Sequence, residues 1–333
     1  MEYIQDIIEK IHHTVETHKL SDGVYTRWLW QDKNNSRELG VNPYGCADAA
    51  NILYSIGAFP HDPAERACWI KTLQGMQDPE TGLFHEKTHH PIHTTAHCAA
   101  AIELFDASPL YPVTALAHTL KEGELEDFLE NIDWVKNPWT DSHRGAGIYV
   151  SMNLCGQATP EWNRRYFKWF WDNADPVTGL WRKGYASDPN TCRSFVHMAG
   201  TFHYLFNHEY AHMPLRYPEK LIDTCLEMYD RDHVREKFGQ HADFLEIDWI
   251  FCLTRASRQT AYRFDDVRDR LRSFTAEYIQ FWRNADWEKD ETLNDLHMLF
   301  GGVCALAELQ QTLRGELITD KPLKLVLDRR PFI

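Results

Sequence analysis

The chain has 333 residues, of which 43% are hydrophobic and 25% are charged, which is typical of a soluble globular protein. The formal net charge of −14 argues against nucleic acid or an anionic membrane as a partner, because both are bound largely through lysine and arginine. The start of the chain, MEYIQDIIEK, lacks the pattern of a signal peptide, and no window reaches the roughly 18 apolar residues of a membrane span, so we expect a cytoplasmic protein.

Helical periodicity divides the chain into six pairs of segments, each joining a charged amphipathic helix to a small, apolar one. The amphipathic helices are predicted over residues 2–19, 63–77, 113–132, 160–174, 217–231 and 264–285. The apolar helices alternate with them and are predicted to begin near Gly45, His93, His143, Ser194, Ala242 and Glu291. The last stretch, residues 315–333, belongs to no pair and predicts an extended tail packed on the outside or on a partner.

The apolar segments repeat at an almost constant interval. Aligned without gaps, they have at their fifth position Asp48, His97, Gly147, His197, Asp248 and His297, at spacings of 49, 50, 50, 51 and 49 residues. The turns DPETGLF (78–84) and DPVTGLW (175–181) keep the same register, and Gly82 and Gly179 are predicted to hold a positive φ. One helical hairpin cannot bury its own apolar surface. Six hairpins closing on themselves predict an all-α (α/α)6 toroid over residues 1–314, with the apolar helices as the inner ring and the amphipathic helices as the outer ring.

The segment LQGMQDPETGLF, followed by HTTAHCAAAIELF, resembles the repeat of protein prenyltransferase β-subunits and terpene cyclases. The six-hairpin plan is also similar to that of the (α/α)6 glycosidases. These resemblances imply the toroid fold and a ligand site at the N-terminal ends of the inner helices. The chain lacks the Asp-x-Asp-Asp signature of cyclases and the Asp-x-Cys pair with a downstream histidine of prenyltransferases, so neither chemistry transfers to individual residues.

Two rings of polar residues are predicted around the central cavity. The fifth-position residues supply the candidate catalytic groups, which are Asp48, Asp248, His97 and His197. Residues one helical turn earlier, together with neighbours at the same level, supply the candidate substrate-binding groups. These are Tyr44, His93, His143, Arg144, Arg193, His297, Asp243, Asp295, Trp249 and Trp181. Burying so many titratable groups without a function would be costly in free energy, which favours a functional site.

The pattern predicts a carbohydrate-active enzyme of the glycoside hydrolase, lyase or isomerase class. Asp48 and Asp248 would act as general acid and general base on a small-molecule or oligosaccharide substrate, with histidines on its hydroxyl groups. Arg144 and Arg193 suit the carboxylate of a uronic acid, and the tryptophans suit sugar rings.

Three alternatives remain open from the residues alone. A zinc ion on His97, His197 and His297 is one, limited by the width of a six-helix cavity, so no cofactor is expected. A terpenoid- or prenyl-binding, cyclase-like protein is the second, and it requires a deep apolar cavity. A non-catalytic binding module on the same scaffold is the third.

Overall fold

The computed structural model describes residues 1–332, and it is predominantly α-helical, as the sequence predicts. The helices are α1 (Gln5–Thr17), α2 (Pro43–Ser55), α3 (Pro63–Gln74), α4 (Pro91–Leu104), α5 (Glu124–Glu130), α6 (Pro138–Leu154), α7 (Pro160–Asn173), α8 (Ser194–Tyr210), α9 (Pro218–Asp232), α10 (Phe244–Ser257), α11 (Phe264–Asn284), α12 (Leu296–Thr312) and α13 (Val326–Arg329). Strands β1 (Glu2–Tyr3) and β4 (Leu317–Ile318) pair in parallel, with Glu2 opposite Leu317. Strands β2 (Lys19–Ser21) and β3 (Val24–Tyr25) pair antiparallel.

The six apolar segments form the centre of the protein. We call α2, α4, α6, α8, α10 and α12 the core helices; each packs on the next in chain order, and α12 packs on α2. Their small residues permit this close packing. An added Cβ at Gly147 would lie 3.0 Å from the Ile92 carbonyl oxygen, and one at Gly200 would lie 2.8 Å from that of Pro138. Small residues at these positions therefore set how closely α6 approaches α4 and α8.

The amphipathic segments flank the core helices. In α7, α9 and α11 the buried residues recur at helical spacing, which leaves a polar outer face. The third predicted segment, residues 113–132, is not continuous. It divides into a 3₁₀-helix, Thr114–Leu120, and α5, because Gly123 at φ +82° interrupts the helical backbone.

The C-terminal tail runs into the protein, so the expectation that it packs on the outside is corrected. Arg330 and Phe332 are fully buried. The Arg330 guanidinium lies 3.3 Å from Nδ1 of His97, and the Phe332 ring lies 4.8 Å from the His93 ring, centroid to centroid. Asp328 pairs with Arg255 at 2.5 Å, which fixes the tail to the C-terminal part of α10.

Within residues 1–332, no helix combines the length and the apolar character needed to cross a bilayer.

Candidate functional site

Core helices α2, α4 and α12 bring Asp48, His97 and His297 together. The Asp48 Oδ1 atom lies 2.8 Å from Nε2 of His97 and 3.2 Å from Nδ1 of His297, and all three side chains are buried. Arg330 donates toward Nδ1 of His97, so the proton of that ring is on Nε2 and is donated to Asp48. Asp48 likewise receives the Nδ1 proton of His297, which leaves a lone pair on Nε2 of His297.

The charge in this cluster belongs to the aspartate. Burial alone would raise the pKa of the Asp48 carboxyl, but the hydrogen bonds that His297 and His97 donate to it outweigh burial and hold the pKa below its ordinary value. Burial lowers the pKa of His297 to about 3 although Asp48 opposes that shift, and it also lowers the pKa of His97. The cluster is therefore an ionised Asp48 carboxylate between the neutral imidazoles of His97 and His297.

A second cluster lies beside the first and contains His93, His143 and His203. One ligating atom from each of these residues lies within 4.8 Å of the others. The Tyr44 hydroxyl bonds Nδ1 of His93, and the Ser142 hydroxyl lies 3.0 Å from Nδ1 of His203. Burial is the largest cause lowering the pKa of all three imidazoles, to about 3 for His203, so this cluster is neutral.

Both clusters border one cavity of about 240 Å³. The residues that line it come from five core helices, the N-cap of α10 and the loop before α4. They are His89, His93, Trp139, Thr140, His143, His203, Asp243, Phe244, His297 and Met298. The cavity therefore presents several imidazoles and two aromatic side chains to one small volume.

Asp295 secures the start of α12 and hence the place of His297. Its carboxylate accepts from Arg27 at 2.8 and 3.0 Å and from the Trp28 indole at 2.8 Å, and it caps the helix through the backbone N–H of His297 at 3.0 Å. Burial would raise the pKa of Asp295, but Arg27 outweighs it and lowers the pKa. The side chain of Asp295 is thus a support for His297 and is saturated with donors.

Several predicted site residues are not brought to this cavity. Trp249 stacks on Tyr229 of α9, and Trp181 stacks on His208. Arg144 pairs with Asp141 at 2.9 Å. Arg193 is exposed beside an outer groove shared with Arg231 and Arg235. The prediction that these four line a common cavity is corrected: Trp249 and Arg144 lie on helix faces turned toward flanking residues, while Trp181 and Arg193 lie in the segment between α7 and α8.

The two remaining predicted carboxylates have different places. Asp243 lines the cavity, caps α10 and pairs with Arg235 at 2.6 Å. Asp248 is fully buried outside the cavity lining, and within residues 1–332 neither of its carboxylate oxygens has a hydrogen-bond partner. Burial, followed by the nearby Asp243, raises the pKa of Asp248 well above its ordinary value, so this carboxyl group is neutral.

His197 does not line the cavity, and His203, which the sequence analysis did not predict, lies there together with His93 and His143. The His197 ring lies 3.1 Å from Thr191, so the zinc alternative on His97, His197 and His297 is not formed. The backbone N–H of Phe84 bonds Thr95, and the backbone N–H of Trp181 bonds Thr201 in the same way. Thr95 precedes His97 by two positions, and Thr201 precedes His203 by two. The repeated turn therefore identifies His203 as the residue equivalent to His97.

The chain was compared with known proteins, and it matches no protein-family model, no curated protein and no solved structure.

Proposed function

We propose that the protein is a carbohydrate-active enzyme built on an (α/α)6 toroid, with its active site in the histidine-lined cavity. The alternation of core and flanking helices, and the packing of α12 back on α2, support the toroid. Within the hydrolase, lyase or isomerase class, proton-transfer chemistry on a sugar is favoured over hydrolysis. Hydrolysis by a carboxylate pair needs both carboxylates at the substrate, whereas Asp48 and Asp248 are buried outside the cavity lining.

The observation that carries the proposal is the Asp48–His297 pair. His297 lines the cavity, and its Nδ1 proton is held by a buried carboxylate at 3.2 Å. This arrangement fixes the tautomer and the orientation of the ring, and it leaves Nε2 as the proton-accepting atom of a ring that lines the cavity. When Nε2 takes a proton from the substrate, the negative charge of Asp48 stabilises the imidazolium that forms. His297 is therefore the proposed general base and Asp48 the residue that positions it.

The size and walls of the cavity favour a small polar substrate. Its volume of about 240 Å³ lies below the roughly 300–1,000 Å³ of sites for drug-sized ligands, which suits a single sugar ring better than an oligosaccharide. Trp139 and Phe244 offer apolar surface, and the imidazoles offer donors and acceptors for hydroxyl groups. Because Arg144 and Arg193 lie elsewhere, we propose a neutral sugar in place of a uronic acid.

The C-terminal tail weighs against the terpenoid alternative. Phe332 packs against His93 and Phe206, with ring centroids 4.8 and 5.1 Å away, and Arg330 is buried beside His97. A prenyl chain would need a deep apolar cavity next to the histidines, and this space is occupied by the tail.

The test is proton exchange with solvent. Monosaccharides, as aldoses, ketoses and uronic acids, are incubated with the protein in deuterated water and followed by proton NMR. We expect deuterium to enter a carbon-bound position of one neutral sugar, and we expect His297→Ala to abolish the exchange. His197→Ala is the matched control, since His197 bonds Thr191 away from the cavity, and it should retain the activity. The proposal is wrong if the whole panel shows neither exchange nor bond cleavage.

A further inference from the structure

We infer that His93, His143 and His203 bind one divalent transition-metal ion, with zinc as the ion that best suits three imidazole ligands. The three residues come from α4, α6 and α8, and a ligating atom of each lies within 4.8 Å of the other two. The metal site extends beyond the proposed sugar chemistry and does not depend on it, because metal binding is measured without substrate.

The hydrogen bonds around the cluster prepare two of the rings for a metal. The Ser142 hydroxyl donates to the carbonyl oxygen of Trp139, so its oxygen accepts the Nδ1 proton of His203 at 3.0 Å. Nε2 of His203 therefore carries the lone pair. The Tyr44 hydroxyl bonds Nδ1 of His93, so Nε2 is the nitrogen of that ring left for a metal, with Tyr44 accepting the Nδ1 proton when the metal binds. Partners of this kind orient metal-bound histidines and increase their basicity.

His143 supplies the third ligand from the edge of the cavity. Its ring centroid lies 4.2 Å from that of His93 and 4.9 Å from that of His203, and its side chain is only partly buried. Zinc–nitrogen bonds of about 2.0–2.1 Å place tetrahedral ligand atoms about 3.4 Å apart. The ligand atoms thus need to close by at most about 1.4 Å on metal binding, through rotation of the partly exposed His143 together with small movements of His93 and His203.

The neighbouring cluster of Asp48, His97 and His297 is the weaker candidate for a metal. The hydrogen bonds from His97 and His297 already occupy Asp48 Oδ1, and Arg330 occupies Nδ1 of His97. A divalent ion there would displace these bonds and would lie beside a buried guanidinium. At the three-histidine cluster, by contrast, the cavity adjoins all three ligands, so a water molecule or a substrate oxygen can take the fourth position.

The experiment measures zinc and cobalt binding by the full chain, produced without a histidine tag and stripped of metal with a chelator. Equilibrium dialysis with elemental analysis should give one tightly bound ion per chain, and cobalt should give the intense visible absorption of a tetrahedral site. His143→Ala and His203→Ala should each weaken zinc binding by more than about 100-fold. Ser142→Ala, which loses only a supporting bond, should weaken it by about 10-fold.

The controls separate this site from its neighbours and from unfolding. His197 lies on the same helix as His203, and His197→Ala should bind zinc like the wild type. His97→Ala should also bind zinc like the wild type. Zinc should raise the melting temperature of the wild type but not that of His143→Ala, whose circular dichroism should be unchanged. Unchanged affinity in both His143→Ala and His203→Ala would overturn the inference. Absence of binding, or its selective loss in His97→Ala, would overturn it as well.

Discussion

Asp48 holds the Nδ1 proton of His297 across a distance of 3.2 Å, and this bond joins a fully buried carboxylate to a ring that lines the cavity. Asp48→Asn would remove the negative charge that stabilises a protonated His297 and would disturb the tautomers of both partner histidines. We expect kcat on the sugar found by proton exchange to fall by about 10²–10⁴-fold, the range of general acid–base catalysis. Steady-state kinetics provides the measurement.

Asp248→Asn is the matched control for this substitution. The Asp248 carboxyl group is neutral and lies outside the cavity lining, so an amide of the same shape should leave kcat within a few-fold of the wild type. Equal losses in the two variants would contradict the role assigned to the Asp48–His297 pair and would restore the acid–base pair expected from the sequence.

The tail is predicted to contribute to stability through Phe332. Its ring is fully buried against His93 and Phe206, and Phe332→Ala would leave a cavity between the core helices. The expected loss in the free energy of unfolding is about 3–5 kcal/mol, measured by urea denaturation. Phe264→Ala serves as the control because that ring is 45% exposed, and it should change stability by less than about 1 kcal/mol. A loss at Phe332 no larger than that at Phe264 would contradict the burial of the tail.

The sequence predicted the helical elements because their signals are local. Proline at the first turn of α3, α7 and α9, and the runs of small apolar residues in the core helices, were sufficient to locate them. The register of the repeat predicted Tyr44, His93 and His143 at one level, and in the structure the His93 ring packs against those of Tyr44 and His143. Helices equivalent in sequence place equivalent residues at similar heights when the loops between them have similar lengths.

The positions that the sequence did not predict correctly are set by loop length, helix rotation and long-range contacts. Thirteen positions separate Gly82 from Thr95, whereas twenty-two separate Gly179 from Thr201, so a gapless alignment selected His197 where the structure uses His203. Trp249 lies on a helix that is buried all round, so hydrophobicity could not tell its central face from its flanking face. The tail has no repeat partner, and its path into the protein is set by long-range contacts such as that of Arg330 with His97.

The repeated turn makes a prediction about glycine. Gly82 has φ +74°, and a Cβ there would lie 2.0 Å from the Pro112 carbonyl oxygen. Gly156 has the same φ of +74°, but an added Cβ would meet open space. Gly156→Ala should therefore cost only the strain of a left-handed backbone, about 1–2 kcal/mol. Gly82→Ala should cost more by about 1–3 kcal/mol for the added steric conflict. The midpoints of urea denaturation of the two variants measure this difference. Equal midpoints for Gly82→Ala and Gly156→Ala would contradict the prediction and would show that the turn moves away from Pro112.

Glu246 gives the chain a specific dependence of stability on pH. Its carboxyl is buried, Oε1 accepts from the backbone N–H of Gly239 at 2.8 Å, and burial, assisted by Asp243, raises its pKa to about 7. The folded protein therefore retains a proton that the unfolded chain loses above its ordinary pKa of 4.5. The contribution of this group is complete below pH 4.5 and is lost as the pH rises through about 7.

Glu246→Gln imitates the protonated carboxyl and should remove this dependence. The difference in unfolding free energy between variant and wild type should move in favour of the variant by about 3 kcal/mol between pH 4.5 and pH 8. Urea denaturation of both proteins at matched pH values measures it, and titrating groups remote from Glu246 cancel in the difference. Glu236→Gln, at an exposed position, should give a difference that is flat with pH. A flat difference for Glu246→Gln as well would mean that its carboxyl is ionised in the folded protein, with its charge balanced by a rearranged Arg235.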